Sequence, residues 1–305
     1  PFAVLATAGS TSTGSVDDLT GLARLCAEQG LWLHVDAAYG GPARLTAPGR
    51  ALLAGIERAD SLVLDPHKWL FQPYEAGCVL VRHPGVLERA FSLEGAAYLR
   101  DAAGGGVDLR NRGLQLSRGS RALKLWLSLR VFGLDAFRAA VTRGIELAEH
   151  AERVLRARPG WEVVSPAQLG IVCFRREGPD ALNDALVRSA LADGFAAPSS
   201  TVLDGRTAIR LCTINPRTTF ADVEATIERL EGLAAHVPDE RFRGMNLATP
   251  SARAGGGATM EREPEHNPGE PEFGEHEDEA PHNPGEFEFG DPEATDPEDE
   301  EGEEA

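Results

Sequence analysis

Asp65-Pro66-His67-Lys68-Trp69, with His34-Val35-Asp36-Ala37-Ala38-Tyr39-Gly40-Gly41 a short distance ahead of it, decides how this chain folds. Each segment closes an apolar run, 31–35 in one case and 61–64 in the other. Short unbroken apolar runs separated by helical periodicity read as strands of a parallel sheet covered by helices. One strand end then delivers an acid. The other delivers a lysine beside a histidine.

Working outward, 2–6 is another apolar strand, and Thr7-Ala8-Gly9-Ser10-Thr11-Ser12-Thr13-Gly14 is a polar, glycine-rich loop. Ser15, with Asp18 three residues on, resembles an N-terminal capping box. Leu19, Leu22, Ala23, Leu25 and Cys26 mark a helix that ends near Gly30. A second helix is expected over 50–58 and a strand over 77–81, bracketed by Gly77 and His83-Pro84-Gly85. Residues 91–116 carry no clear period, and Gly104-Gly105-Gly106 reads as mobile. Helical spacing returns from Ser120 to Arg130, breaks at Gly133, and resumes over 135–157. Strands over 161–164 and 170–174, a helix over 180–192, a strand over 208–212 and a helix over 220–235 complete a smaller α+β domain. The expected division is 1–130, 131–240, and a tail from 241 to 305.

The tail explains the charge. Residues 261–305 hold twenty Asp or Glu and one basic residue, Arg262, so this segment carries −19 of a total of −18. The rest of the chain is close to neutral, and the acidity says nothing about its partners. The tail repeats His266-Asn267-Pro268-Gly269-Glu270 as His282-Asn283-Pro284-Gly285-Glu286. With few large apolar groups to bury, it reads as a disordered solubilising segment, or else as a binding tail. Cys26, Cys78, Cys173 and Cys212 sit at no metal-ligand spacing and read as reduced core thiols of a cytoplasmic protein. No metal is expected. No apolar run reaches the length of a membrane span, no Gly-x-Gly-x-x-Gly or P-loop points to a nucleotide, and no basic-aromatic stripe points to nucleic acid.

A lysine and a carboxylate at one sheet edge are what pyridoxal phosphate chemistry requires. The amine forms the Schiff base, and the acid keeps the pyridine nitrogen protonated. Lys68 sits between an apolar strand and Trp69-Leu70-Phe71, which reads as a buried lysine whose desolvation, with nearby positive groups, favours the neutral amine. A lysine snorkelling from a sheet edge is the plainer alternative. Asp36 is the candidate partner of the ring nitrogen, or a turn residue. His34 shares its face and is either a functional or a satisfied core histidine. Thr11 contacts the cofactor or closes its turn, and His67 is a candidate phosphate contact. Ser117-Arg118-Gly119-Ser120-Arg121 is an anion site ahead of a helix, or a capping loop.

Taken together, Ala6–Asp18, His34–Gly41, Ala59-Asp60-Ser61, Asp65–Leu70 and Ser117–Trp126 resemble the group II pyridoxal phosphate-dependent decarboxylases, which act on aromatic L-amino acids, tyrosine, histidine and glutamate. The resemblance covers about 2–235. It implies a fold-type I α/β architecture: a mostly parallel sheet with helices on both faces, then a small α+β domain. By motif, Lys68 corresponds to the Schiff-base lysine, Asp36 to the pyridinium partner, and Ala38 to the residue against the ring face. Thr11 lies in the family's threonine-rich cofactor loop. His67 and Asp65 fall where the family contacts the cofactor and its phosphate, although several members carry Asn at the position of Asp65. Tyr98 matches the loop tyrosine that returns a proton after carbon dioxide leaves. Ser117 corresponds to a phosphate-contacting position donated by the neighbouring subunit of a homodimer.

The resemblance also implies that a dimerising segment, a phosphate loop and a ring-stacking histidine belong ahead of Pro1, so the chain reads as truncated at its front. The expected reaction is decarboxylation of an amino acid substrate, an aromatic one by preference, to an amine. The alternatives are an aldehyde-forming oxidative deaminase of the same fold, disfavoured by Tyr98, and an inactive fragment or binding protein.

Overall fold

A computed structural model describes residues 1–92 and 108–236. Tyr98, the glycine run at 104–106 and the acidic tail lie outside the described residues. The first sheet has the order β1 (Ala3–Thr7), β2 (Trp32–Asp36), β3 (Ser61–Leu64), β4 (Cys78–Val81). The first three strands are parallel, in the register Thr7↔Asp36↔Val63. β4 returns antiparallel on β3. The expectation of a mostly parallel sheet therefore holds, with one antiparallel strand whose direction its short apolar run does not encode.

The pleat sorts this sheet's side chains. Ala6, Leu33 and Val35 are buried on one face, with Leu19, Ala23 and Cys26 of helix α1 (Leu19–Gln29) in the same core. Each fully buried leucine there contributes about 2 kcal/mol. Leu5, His34 and Asp36 alternate onto the other face, where Leu5 is largely exposed. Asp18, not Ser15, caps α1, its side chain accepting from Gly21 N. Asp17 meanwhile accepts from Thr7 N, so Asp17 and Asp18 are anchored and Ser15 is drawn back to Ser10. The helix expected over 50–58 is instead a short α2 (Ala47–Leu52) and a 3-10 turn (Ile56–Arg58). Gly55 separates them at φ 99°, where a Cβ would meet Thr20 N at 2.7 Å.

After α3 (Val86–Phe91) and a 3-10 turn at Leu109–Arg112, helix α4 runs from Arg121 to Arg156, interrupted at Gly133 as its sequence suggests. The second sheet is antiparallel, in the order β5 (Trp161–Gln168), β6 (Ile171–Arg176), β8 (Arg206–Cys212), β7 (Ser199–Leu203). β5 runs well past the expected 161–164, through two register shifts around Pro166. β7 was not foreseen: it is an edge strand of mostly small polar residues just after Pro198 and carries little apolar signal. Helices α5 (Asp180–Asp193) and α6 (Phe220–His236) follow the periodicity.

β6 is buried on both faces. Val172 and Phe174 join a core with Leu147, Leu186, Ile209 and Ile227. Ile171 and Cys173 point the other way, into the core of the first sheet. The small sheet thus backs directly onto the loops at the ends of β1, β2 and β3. All of this lies in one compact unit, Pro1–Leu247. Among the described residues no helix is long and apolar enough to cross a membrane, and no group of three or more His, Cys, Asp or Glu could hold a metal. All four cysteines are free thiols.

Asp60 fastens β2, β3 and β4 at the opposite end. Its carboxylate accepts from Leu33 N at 2.7 Å and lies 2.9 Å from His83 Nε2. Burial alone would raise this carboxyl, but the bonds from Leu33 and His83 and the charges of His83 and Arg82 outweigh it and hold it below the usual aspartate value. A depressed folded-state value gives stability that is present at neutral pH and is lost as pH falls through the acid range. Asp60→Asn is therefore expected to lower unfolding free energy at pH 7 by on the order of 1 kcal/mol. The gap to wild type should close below about pH 4. Urea titrations at the two pH values measure it.

Candidate active site

The C-terminal ends of β1, β2 and β3 lie side by side and carry the threonine loop, the Asp36 turn and the Lys68 turn. Functional loops in parallel α/β sheets gather at this edge. Backbone bonds join the three. Ala8 N donates to Asp36 O at 2.7 Å, Gly40 N to Ala8 O at 3.1 Å, and Asp65 N to Ala38 O at 3.1 Å. Gly9 and Gly40 make the first approach possible. A Cβ on Gly40 would stand 2.2 Å from Ala8 O, and Gly9 sits at φ 104°.

Lys68 is not buried, contrary to the expectation from its apolar neighbours. Its side chain is 40% exposed, while Trp69 behind it is fully buried. Lys68 N donates to Asp65 O at 2.9 Å, closing the turn from which Lys68 and Trp69 differ so sharply in burial. The charged neighbour is an acid rather than the expected positive group: Lys68 Nζ lies 2.8 Å from Asp65 Oδ2. His67 Nε2 approaches the same oxygen at 3.9 Å. His67 Nδ1 lies 2.7 Å from Ala76 O and 3.1 Å from Ala76 N, so either tautomer finds a partner on one residue. Tyr74 meets the His67 ring edge-on, with centroids 4.9 Å apart.

Asp36 is exposed at the end of β2. Its Oδ1 accepts from Ala38 N at 3.1 Å, and among the described residues no cation stands within ion-pair distance. His34, on the same face, lies 2.8 Å from Ser61 Oγ, which also accepts from Trp32 Nε1. His34 is half-buried, with one ring nitrogen engaged by that hydroxyl.

The structure groups Lys68, Asp65 and His67 in contact, and Ala38 with Asp36 one strand away. Thr11 is exposed, held through its carbonyl by Arg210 Nε at 2.8 Å. Thr201 Oγ1 and Cys173 Sγ bind Ser12 in the same loop. Ser117 is exposed, with no side-chain hydrogen bond among the described residues. The arginines beside it are engaged: Arg118 with the carbonyls of Leu109 and Gln115, Arg121 with Glu75. The grip of the small sheet on the threonine loop was missed, because β6, β7 and β8 lie more than 150 residues along the chain and nothing local signals the contact.

The donor set fits pyridoxal phosphate. Among the described residues it offers an accessible amine whose ion partner is one carboxylate, a second carboxylate without a cation for the ring nitrogen, and a small residue, Ala38, between them.

Comparison with known proteins agrees. Residues 1–177 match the pyridoxal-dependent decarboxylase conserved domain. The chain is 46% identical over 248 residues to the aromatic-L-amino-acid decarboxylase of Bacillus atrophaeus, covering 78% of this chain and 52% of that protein. The Oryza sativa TDC structure with PLP and tryptamine superposes with a TM-score of 0.70 at 29% identity, over 76% of this chain and 50% of that one. The Rhodiola rosea 4-hydroxyphenylacetaldehyde synthase gives 0.69 at 27%, over 78% and 50%. The chain spans about half the length of the relatives it matches. With a lysine and a carboxylate on adjacent strand ends and a family match over more than half its length, this chain belongs to the pyridoxal-dependent decarboxylase family.

Proposed function

We propose that this chain carries the lysine-bearing part of an enzyme that decarboxylates an L-amino acid, an aromatic one, to an amine and carbon dioxide. The observation that carries the reading is the pairing of Lys68 and Asp36 on neighbouring strand ends, locked by the Asp65 N to Ala38 O bond. Likeness to an aromatic-L-amino-acid decarboxylase supports the substrate class. Pyridoxal phosphate, when bound, supplies the electron sink for the pair left behind as the carboxylate departs. Lys68 would hold it covalently through its side-chain amine. Asp65 holds the Lys68 ammonium while the amine is free. Asp36 would balance a proton on the ring nitrogen, Ala38 would leave room for the ring, and Thr11 and His67 would contact its polar groups. Tyr98 returns a proton to the substrate α-carbon. Ser117 serves the neighbouring subunit's site in a homodimer.

Carbon dioxide and amine in equal amounts from an aromatic L-amino acid, by the protein in the longest form its gene encodes, are the expected products. Absence of turnover with cofactor bound would favour the binding-protein reading.

The likeness to an aldehyde synthase makes a second reading specific: oxidative deamination consuming molecular oxygen. Tyr98 separates the two. Tyr98→Phe is expected to cut amine formation by about 10²-fold, as for loss of a general acid, and to raise aldehyde, ammonia and hydrogen peroxide. Unchanged amine output would remove Tyr98 from this role.

A further inference from the structure

Two aromatic rings lie beneath the site and belong to neither candidate group. Tyr39 follows Asp36 by three residues, and Trp69 follows Lys68 directly. Their rings stack with centroids 5.0 Å apart and planes within 7°. Trp69 is fully buried and Tyr39 nearly so. The stack stands on the small sheet and on α4. Tyr39 Oη accepts from Gly170 N at 3.2 Å, in the β5–β6 turn. Gly170 O accepts from Thr213 N at 2.8 Å, and Thr213 Oγ1 donates to Gly144 O at 2.7 Å. Both glycines are seats. A Cβ on Gly144 would lie 3.2 Å from the Trp69 ring, and one on Gly170 would lie 3.1 Å from Tyr39 Oη and 3.2 Å from Trp69.

Among the described residues Trp69 Nε1 has no hydrogen-bond partner. Shape, not hydrogen bonding, keeps that indole in place. Burial, with the Cys212 thiol beside it, pushes the Tyr39 phenol well up from its ordinary value, which favours the neutral ring.

We infer that the Tyr39–Trp69 stack is a positioning device: it sets where the Lys68 amine stands relative to the Asp36 carboxylate, and references both to the small sheet. The inference rests on the proposed roles of Lys68 and Asp36. Each acts from the turn that one ring anchors. The backbone hydrogen bond from Asp65 N to Ala38 O joins the two turns at one point. A second join, a flat stack of two stiff rings, removes the remaining freedom to rotate about it. Displacement of a reacting group by about 1 Å can slow a reaction by about 10²-fold.

The test uses the protein in the longest form its gene encodes, with pyridoxal phosphate as probe. Three quantities are read: the rate of borohydride-trappable attachment at Lys68, the pH midpoint of the lysine–cofactor absorbance, and the thermal midpoint. Trp69→Leu removes the stack and is expected to slow attachment about tenfold and move the pH midpoint. Trp69→Phe keeps an aromatic face and restores most of the rate. Gly170→Ala pushes both rings without deleting either and is expected to act like Trp69→Leu, which covers the case in which the leucine variant does not fold. If folded Trp69→Leu and Gly170→Ala proteins attach the cofactor at the wild-type rate with the wild-type midpoint, whatever their melting temperatures, the inference is wrong. Absence of label on Lys68 in the wild type would instead overturn the functional reading beneath it.

Discussion

Lys68→Ala is expected to abolish borohydride-stable attachment of pyridoxal phosphate and to lower turnover by at least about 10³-fold, ~4 kcal/mol of transition-state stabilisation. The chain makes this an unusually clean experiment. It has two lysines, Lys68 and Lys124. Lys124 Nζ is held between Pro73 O and Glu75 O, each at 2.7 Å. Among the described residues Lys68 has one partner, Asp65, on a side chain 40% exposed. Peptide mapping of reduced wild-type protein should therefore find the label on Lys68 and none on Lys124. The fold should tolerate the change, because an ion pair this open to solvent contributes ~0–1 kcal/mol. Label on Lys124, or equal labelling of the alanine variant, would sink the assignment. Asp65→Asn is the informative companion: it leaves the turn and the amine in place and takes away only the counter-ion.

The parts legible in the sequence were those that local chemistry controls. Continuous apolar runs located β1, β2 and β3, and Gly30 and Gly133 marked a helix end and a helix break. The Asp36 and Lys68 turns stood out because polar residues at the ends of buried strands need a reason to be there. What was not legible depended on who lies opposite. Lys68 looked buried because its neighbours in sequence are apolar, yet the turn sends Trp69 inward and the lysine outward. Its charged neighbour proved to be Asp65, three residues back, which the sequence displays but does not aim. β4 runs antiparallel and β7 exists because of their partners, not their composition. The stack of Tyr39 on Trp69 lay within the two segments read first, but only the register of β2 against β3 brings the rings face to face.

Asp36→Asn is expected to leave the structure intact and to lower kcat by about 10²-fold or more, the usual scale for losing a preorganised charge at a reacting centre. The geometry separates charge from structure at this residue. The folded turn uses Asp36 through its backbone carbonyl, bonded to Ala8 N, and through Oδ1, bonded to Ala38 N at 3.1 Å. Asparagine supplies an oxygen in the same place, so both bonds survive. Only the negative charge is lost, and with it the group proposed to balance a protonated ring nitrogen. Asp36→Ala removes the side-chain acceptor as well and should lose at least as much activity, with an added effect on the turn. Comparing the two divides the electronic contribution from the structural one. The cofactor should still attach to Lys68 in both variants, because the amine and its turn are untouched, so borohydride labelling stays near wild type while turnover collapses. An asparagine variant that keeps more than about a tenth of wild-type kcat would leave Asp36 as a turn residue and nothing more.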